Sequence, residues 1–136
     1  MGISRTAIAK HIKVLTDIGL DIYSVTGKGY KLAQPLYLLE KDKIINLLAD
    51  ETNKQDEKQH NLPLIEVHSL IDSTNDYLMR RLPNQVSPGQ VCLAEYQSAG
   101  RGRRGRQWIS PFGSQIYLSM YWYLEQGLSA AMGLSL

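Results

Sequence analysis

The sequence predicts an α+β fold built in two parts, and three observations carry that expectation. Residues 1–35 read as one helix followed by a small hairpin, residues 51–61 contain no aliphatic side chain, and residues 62–136 alternate strand-like apolar runs with helical ones. The expected organisation is a first unit over 1–35, a helix and polar linker over 36–61, and a mixed-sheet unit over 62–136.

The first unit starts with Ser4, a good helix N-cap. Apolar residues then recur at Ile8, Ile12 and Leu15 until Gly19 can stop the helix. At about 100° per residue these three share one stripe, while Thr6, Lys10, Lys13 and Asp17 project from the other side. Leu20–Val25 and Tyr30–Leu32 can pair as strands across the turn Thr26-Gly27-Lys28-Gly29. A helix followed by a basic-tipped hairpin is the back half of a winged helix-turn-helix. Its lysines suit either a DNA groove or plain solvation.

Glu40–Asp50 reads as a short helix packing through Ile44, Ile45, Leu47 and Leu48, and Glu51–Asn61 as solvated linker. Beyond it, Leu64–Leu70 is an expected strand, and Ser73 opens a helix through about Leu82. Val91–Tyr96 is a second strand and Ile116–Leu124 a longer third, apolar on both faces and therefore expected at the centre of the sheet. Leu128–Leu136 reads as a further helix.

Composition narrows the class. The chain has 136 residues, 43% hydrophobic and 21% charged, which is globular rather than fibrous or disordered. No run approaches the ~20 apolar residues of a membrane helix, and the N-terminus lacks a signal-peptide core, so a cytoplasmic protein without membrane contact is expected. A single cysteine, Cys92, excludes an internal disulfide and reads as inert packing, and no Cys/His spacing suits a metal. His11, His60 and His68 lack partners at catalytic spacing. The net charge of +2 is unevenly spread, with basic clusters near the N-terminus and at Arg101, Arg103, Arg104 and Arg106.

The run Gly100–Arg106 carries the most chemistry. Its three glycines let backbone N–H groups approach an anion, and four guanidiniums offer forked donors for phosphate or carboxylate. The alternatives are a solvated loop or an Arg-Gly nucleic-acid segment, although the run is single and lies between two expected strands. Asp72-Ser73-Thr74-Asn75 falls at a strand-to-helix junction. It reads either as a plain N-cap or as donors and acceptors for a polar head such as a urea or amide. Trp108 is either a cover for a ligand or a core residue.

These pieces together resemble the bifunctional biotin protein ligase and biotin operon repressor family of the BirA type. The motifs are Ser4–Ile8 with Lys10-His11-Ile12, Gly27–Tyr30, Asp72–Asn75, Ala94-Glu95-Tyr96-Gln97 leading into Gly100–Arg106, Ser110–Gly113 and Tyr117–Met120. The resemblance implies a partial winged helix-turn-helix followed by the first half of a biotin/lipoate ligase-type mixed-sheet catalytic domain. It implies that biotin and ATP, with Mg2+, form biotinyl-5'-AMP, and that a lysine of the biotin carboxyl carrier protein of acetyl-CoA carboxylase accepts the biotinyl group. Ser73, Thr74, Asn75, Gln97, Arg101, Gly102 and Arg103 are the implied biotin-binding residues. Arg103, Arg104 and Arg106 are the implied electrostatic stabilisers, and no protein nucleophile is implied.

The same resemblance implies a homodimeric repressor with biotinyl-5'-AMP as corepressor. Operator DNA would face Arg5, Thr6, Lys10, Lys13 and Lys28. A stand-alone nucleic-acid-binding module and a lipoate-protein ligase relative are the alternatives. The family's two earlier helices and its downstream Lys-Trp-Pro-Asn-Asp segment have no counterpart in these 136 residues, so the chain is expected to be an incomplete and by itself inactive piece.

Overall fold

The computed structural model describes residues 4–55, 62–102, 104, 106 and 108–125. It is α+β, with α1 (Arg5–Asp17), β1 (Ile22–Val25), β2 (Gly29–Leu32), α2 (Lys41–Gln55), β3 (Ile65–His68), α3 (Thr74–Met79), β4 (Val91–Ala94) and β5 (Tyr117–Met120) in chain order.

Helix α1 begins where its cap allows: Ser4 Oγ accepts from the Ala7 N–H at 3.2 Å. It ends at Gly19, whose φ of +102° places it in the left-handed region. From there the Gly19 N–H reaches Thr16 O at 2.9 Å and the Leu20 N–H reaches Leu15 O at 3.1 Å. β1 and β2 pair antiparallel from Ile22↔Leu32 to Val25↔Gly29, and Lys28 lies in the exposed turn between them. The stripe Ile8, Ile12 and Leu15 is not a closed core. Ile8 and Leu15 are each more than a third exposed, and Ile12 and Leu15 border an apolar groove of about 440 Å³ shared with Ile22, Tyr30, Leu36 and Phe112.

Helix α2 runs five residues further than its apolar pattern suggests, to Gln55, so the first part of the expected polar linker is helical. The reason is propensity: Glu, Lys and Gln propagate a helix well once a packed turn has nucleated it. The remainder of that linker, with His60, lies outside the described residues.

Strand β4 lies between β3, with which it pairs parallel (Ile65↔Val91 to His68↔Ala94), and β5, with which it pairs antiparallel (Val91↔Met120 to Ala94↔Tyr117). The central strand among the described residues is therefore β4, not the third strand. β5 is also shorter than expected. Tyr121 continues the pairing by one residue, exchanging bonds of 2.7 and 2.9 Å with Gly89 and Gln90, and residues 122–124 are not strand. Alternation records which faces are apolar but not how many neighbours a strand has. Tyr117 is buried while Leu118, Met120 and Trp122 are more than half exposed. Helix α3 likewise stops at Met79, short of the expected Leu82, and the chain turns through 80–84. The helix expected from Leu128 lies outside the described residues.

The core of this unit is small: Ile65, Leu78, Cys92, Leu93, Ala94 and Tyr117. Burial pushes the Cys92 thiol up to about 11, which suits an inert packing residue. A polar cluster secures α3 where apolar area is scarce. The Glu66 carboxylate accepts from Tyr77 Oη at 2.6 Å, Arg81 Nη1 at 2.6 Å and Gln90 Nε2 at 2.7 Å, and the Arg81 guanidinium stacks 4.1 Å above the Tyr77 ring. Burial alone would raise the Glu66 pKa, but the three donors outweigh it and hold the carboxyl below its ordinary value.

Glu66→Ala is expected to cost about 1.5–3 kcal/mol, the range for charged hydrogen bonds, in urea unfolding of the intact protein. Because the folded pKa is depressed, the stabilisation is present above the unfolded value and is lost as pH falls through the folded one. The gap between wild type and variant should therefore close in acid. A gap that stays constant down to the acid transition would assign the loss to packing instead.

Candidate functional site

Two loops meet at the carboxyl ends of the parallel pair β3 and β4. Past His68 and Ala94 the strands separate, then rejoin at a bridge between Ile71 and Gln97, with Ile71 N–H to Tyr96 O at 3.2 Å and Ser98 N–H to Ile71 O at 2.9 Å. Ala99 N–H to Asp72 O at 2.8 Å extends the contact. Parallel strands deliver their following loops to the same edge of a sheet, which is where ligand crevices form in such sheets. Here the loops carry Asp72–Asn75 and Gln97–Arg101.

Ser73 performs both roles that its position allows. It caps α3, its Oγ accepting from Asp76 N–H at 3.3 Å, and it is buried on the wall of a cleft. Thr74 is buried beside it. Its backbone N–H donates to Gln97 Oε1 at 2.8 Å, and its hydroxyl lies 3.1 Å from the same oxygen and 2.8 Å from Ser119 Oγ. With Ser119 donating to Thr74 and Thr74 to Gln97, two donors converge on one amide oxygen. That fixes which way the Gln97 amide points, so its NH2 is free to serve as a donor pair.

The cleft, about 260 Å³, is lined by Ser73, Thr74, Asn75, Asp76, Gln97, Arg101, Trp108, Leu118 and Ser119. Sequence reading missed Asp76, Leu118 and Ser119. Ser119 left a signal, the one small polar side chain in a run of large apolar and aromatic residues. Gly100 borders the cleft from the loop side, where a Cβ would meet Trp108 Cδ1 at 2.7 Å, Gln97 Nε2 at 3.2 Å and Ser110 Oγ at 3.2 Å. Trp108 is 49% exposed, so it is a wall of the cleft and not a core residue.

Charge is handled by pairing. Arg80 grips Asp72 through two nitrogens at 2.6 and 3.1 Å, and this contact, with the Ser73 N–H, draws the Asp72 carboxyl down to about 2. Arg101 Nη2 lies 2.9 Å from Asp76 Oδ2. Gly102 closes a loop turn with its N–H 3.2 Å from Arg106 O, Arg104 and Arg106 are exposed, and Arg103 lies outside the described residues. Ser73, Thr74, Asn75, Gln97 and Arg101 thus line a single cleft.

The second set of expected residues lies elsewhere. Arg5, Thr6, Lys10 and Lys13 are exposed on α1, with Lys28 at the hairpin tip. Lys13 is partly spoken for, since its Nζ sits 3.0 and 3.1 Å from the Asp17 carboxylate. His11 is exposed; His68 is half-buried, its ring edge-on to Tyr77 at 4.7 Å. Among the described residues no His/Cys/Asp/Glu group has the make-up of a metal site, and no helix is long and apolar enough to cross a membrane.

Comparison with known proteins adds identity to this geometry. The profile of the biotin/lipoate A/B protein ligase family matches residues 67–134, and an HTH domain profile matches residues 1–31. The bifunctional ligase/repressor BirA of Salmonella typhimurium is 52% identical over the whole chain, and that of Escherichia coli is 48% identical over the same length. The biotin–[acetyl-CoA-carboxylase] ligase of Mycobacterium tuberculosis is 42% identical over 57 residues, 41% of this chain and 21% of that protein. The chain spans 38% of the length of the two BirA relatives.

The tight fit around Gly100 yields a test that is independent of ligand. Gly100→Ala should force Trp108 and Gln97 apart and destabilise the intact protein by about 1–3 kcal/mol, the usual range for overpacking. Thermal unfolding checks it; an unchanged Tm would mean that the loop yields freely.

Proposed function

Because the chain belongs to the biotin/lipoate A/B protein ligase family, we propose that the intact protein is a biotin protein ligase that also acts as a biotin-dependent transcriptional repressor. The observation that carries the ligase reading is the Gln97 amide, oriented by Thr74 and Ser119 beside Ser73, Asn75 and Arg101. Hydroxyls and an oriented amide suit a neutral urea-like ring, and the arginines beyond suit a carboxylate and phosphates.

In the first step a biotin carboxylate oxygen attacks the α-phosphate of ATP. A P–O bond forms, the bond to pyrophosphate breaks, and biotinyl-5'-AMP results. In the second, the amine of a carrier-protein lysine attacks the activated carbonyl, AMP departs and an amide remains. Adenylation is needed because a free carboxylate is a poor acyl donor. The contribution of this chain's residues is positioning and charge stabilisation, with Arg103, Arg104 and Arg106 offsetting phosphate charge; no side chain acts as nucleophile. Mg2+ belongs to the nucleotide substrate in this reading, because the one carboxylate among the described lining residues, Asp76, is already paired with Arg101.

The repressor half of the reading rests on α1 and the β1–β2 hairpin, with Arg5, Thr6, Lys10 and Lys28 turned to solvent, together with the HTH match. The intact protein would be a cytoplasmic homodimer on operator DNA, with biotinyl-5'-AMP as corepressor.

The test is transfer of labelled biotin to a biotin carboxyl carrier domain with ATP and Mg2+, run beside lipoate. Preference for lipoate would move the protein to the other branch of its family. In the intact protein Arg103→Ala should speed biotinyl-5'-AMP dissociation roughly tenfold or more, from loss of a charge-assisted hydrogen bond of about 1.5–3 kcal/mol; an unchanged rate excludes the role. Lys10→Ala should weaken operator binding and reduce the logarithmic salt slope by about 0.9. Lys13→Ala should do less because Asp17 already balances that charge. Equal loss of ligation in the Lys10 variant would reassign it to folding.

A further inference from the structure

We propose that Asp76 is a specificity-determining residue of the cleft: it holds Arg101 at the rim so that a ligand with an anionic tail is selected over one with a neutral tail. This rests on the ligase reading above for the identity of the ligand, but not for the existence of the device.

Of the described residues that line the cleft, Asp76 and Arg101 bear formal charges and the others are hydroxyl, amide or apolar. The two are joined at 2.9 Å. Asp76 is the firm partner. It sits in the first turn of α3, its N–H tied to Ser73 Oγ at 3.3 Å, and its carboxylate is 24% exposed. Arg101 is the loose one, with a side chain 78% exposed that without a tether would sample many rotamers.

The way the tether is made matters. Arg80 commits both terminal nitrogens to Asp72 in hydrogen bonds, whereas Arg101 meets Asp76 as an ion pair, its Nη2 2.9 Å from Oδ2. A guanidinium has five N–H donors, so Arg101 retains free ones while fixed in place. A carboxylate that meets the free edge lies nearer to the cation than to Asp76, and because Coulomb energy falls with distance, attraction outweighs repulsion. Asp76 thereby converts a mobile surface cation into an aimed one. The other described residues that line the cleft are neutral and do not distinguish the charge of a tail.

The experiment compares biotin with biotinamide, identical in the ring and differing in tail charge, by calorimetric titration of the intact protein. Asp76→Asn should lower the biotin-to-biotinamide affinity ratio about two- to fivefold, the range for a partly exposed ion pair, and Asp76→Glu should restore part of it. Arg101→Ala should lower the ratio at least as far, and the double variant no further, as expected of residues acting through one contact. A ratio that is unchanged or raised in Asp76→Asn, an equal loss for both ligands, or additive effects would each overturn the proposal. A second measurement separates it from the ligase reading. In the ligand-free protein the Arg101 side-chain N–H NMR signal should be protected from exchange in wild type and lose that protection in Asp76→Asn. If neither ligand binds, the ligase reading fails, and this signal alone decides: equal protection in both proteins refutes the tether.

Discussion

The parallel pairing of β3 with β4, resumed at Ile71–Gln97 after a break, is the constraint from which the site follows. Parallel strands cannot be joined by a tight turn, so the chain must cross over, and α3 makes that crossing. Since α3 is six residues long, it has too few internal hydrogen bonds to stand alone. It is held from both ends by tertiary contacts, at Thr74 through Gln97 and Ser119, and at Tyr77 and Arg81 through Glu66. The contacts that fix the helix at its N-terminal end are the ones that orient the Gln97 amide. Stability and recognition are built from the same groups.

Charge in and around the cleft follows one pattern, in which a carboxylate on the strand-to-helix side takes an arginine. Asp72 takes Arg80, Asp76 takes Arg101 and Glu66 takes Arg81. Such pairs are weak individually when exposed. Their effect is to hold guanidiniums apart and in place, while the cleft hydroxyls bond among themselves and to the Gln97 amide oxygen. In the proposed reaction, where a carboxylate would be placed against a phosphate, cations at the rim of such a pocket would supply compensating charge and no covalent intermediate would be needed.

The first unit is not isolated from this site. Phe112 N–H donates to Ile18 O at the end of α1 at 2.8 Å, Leu39 N–H donates to the buried Glu95 carboxylate, and Gly113 N–H donates to Glu95 O at 3.0 Å. Gly19 fits this junction for two reasons: its positive φ ends the helix, and a Cβ there would lie 2.8 Å from Pro111 Cβ. The segment that follows the arginine run therefore touches the cleft through Trp108 and the helix α1 terminus through Phe112.

Local signals in the sequence determined much of this. Ser4, Gly19 and the turn at Gly27 and Gly29 specified α1 and its hairpin, because caps and positive-φ glycines act within a few residues. Asp72–Asn75 and the arginine run stood out through their functional groups, although each also read as a plain cap or a solvated loop, and Gln97 was implied by the family resemblance alone. What the sequence could not determine is whatever depends on partners distant along the chain. The extent of α2 is a separate, local case, in which propagation carried the helix through polar residues whose composition reads as linker. The place of β5 beside β4 was set by pairing, to which its two-faced apolar pattern is blind. Thr74, Gln97 and Ser119 are 23 and 45 residues from one another along the chain, measured from Thr74, and only the crossing of β3, β4 and β5 brings them within hydrogen-bond reach. Asp76 reads in the sequence as an ordinary first-turn acid. It becomes a partner of Arg101 because the tertiary structure lays the loop after β4 across the start of α3.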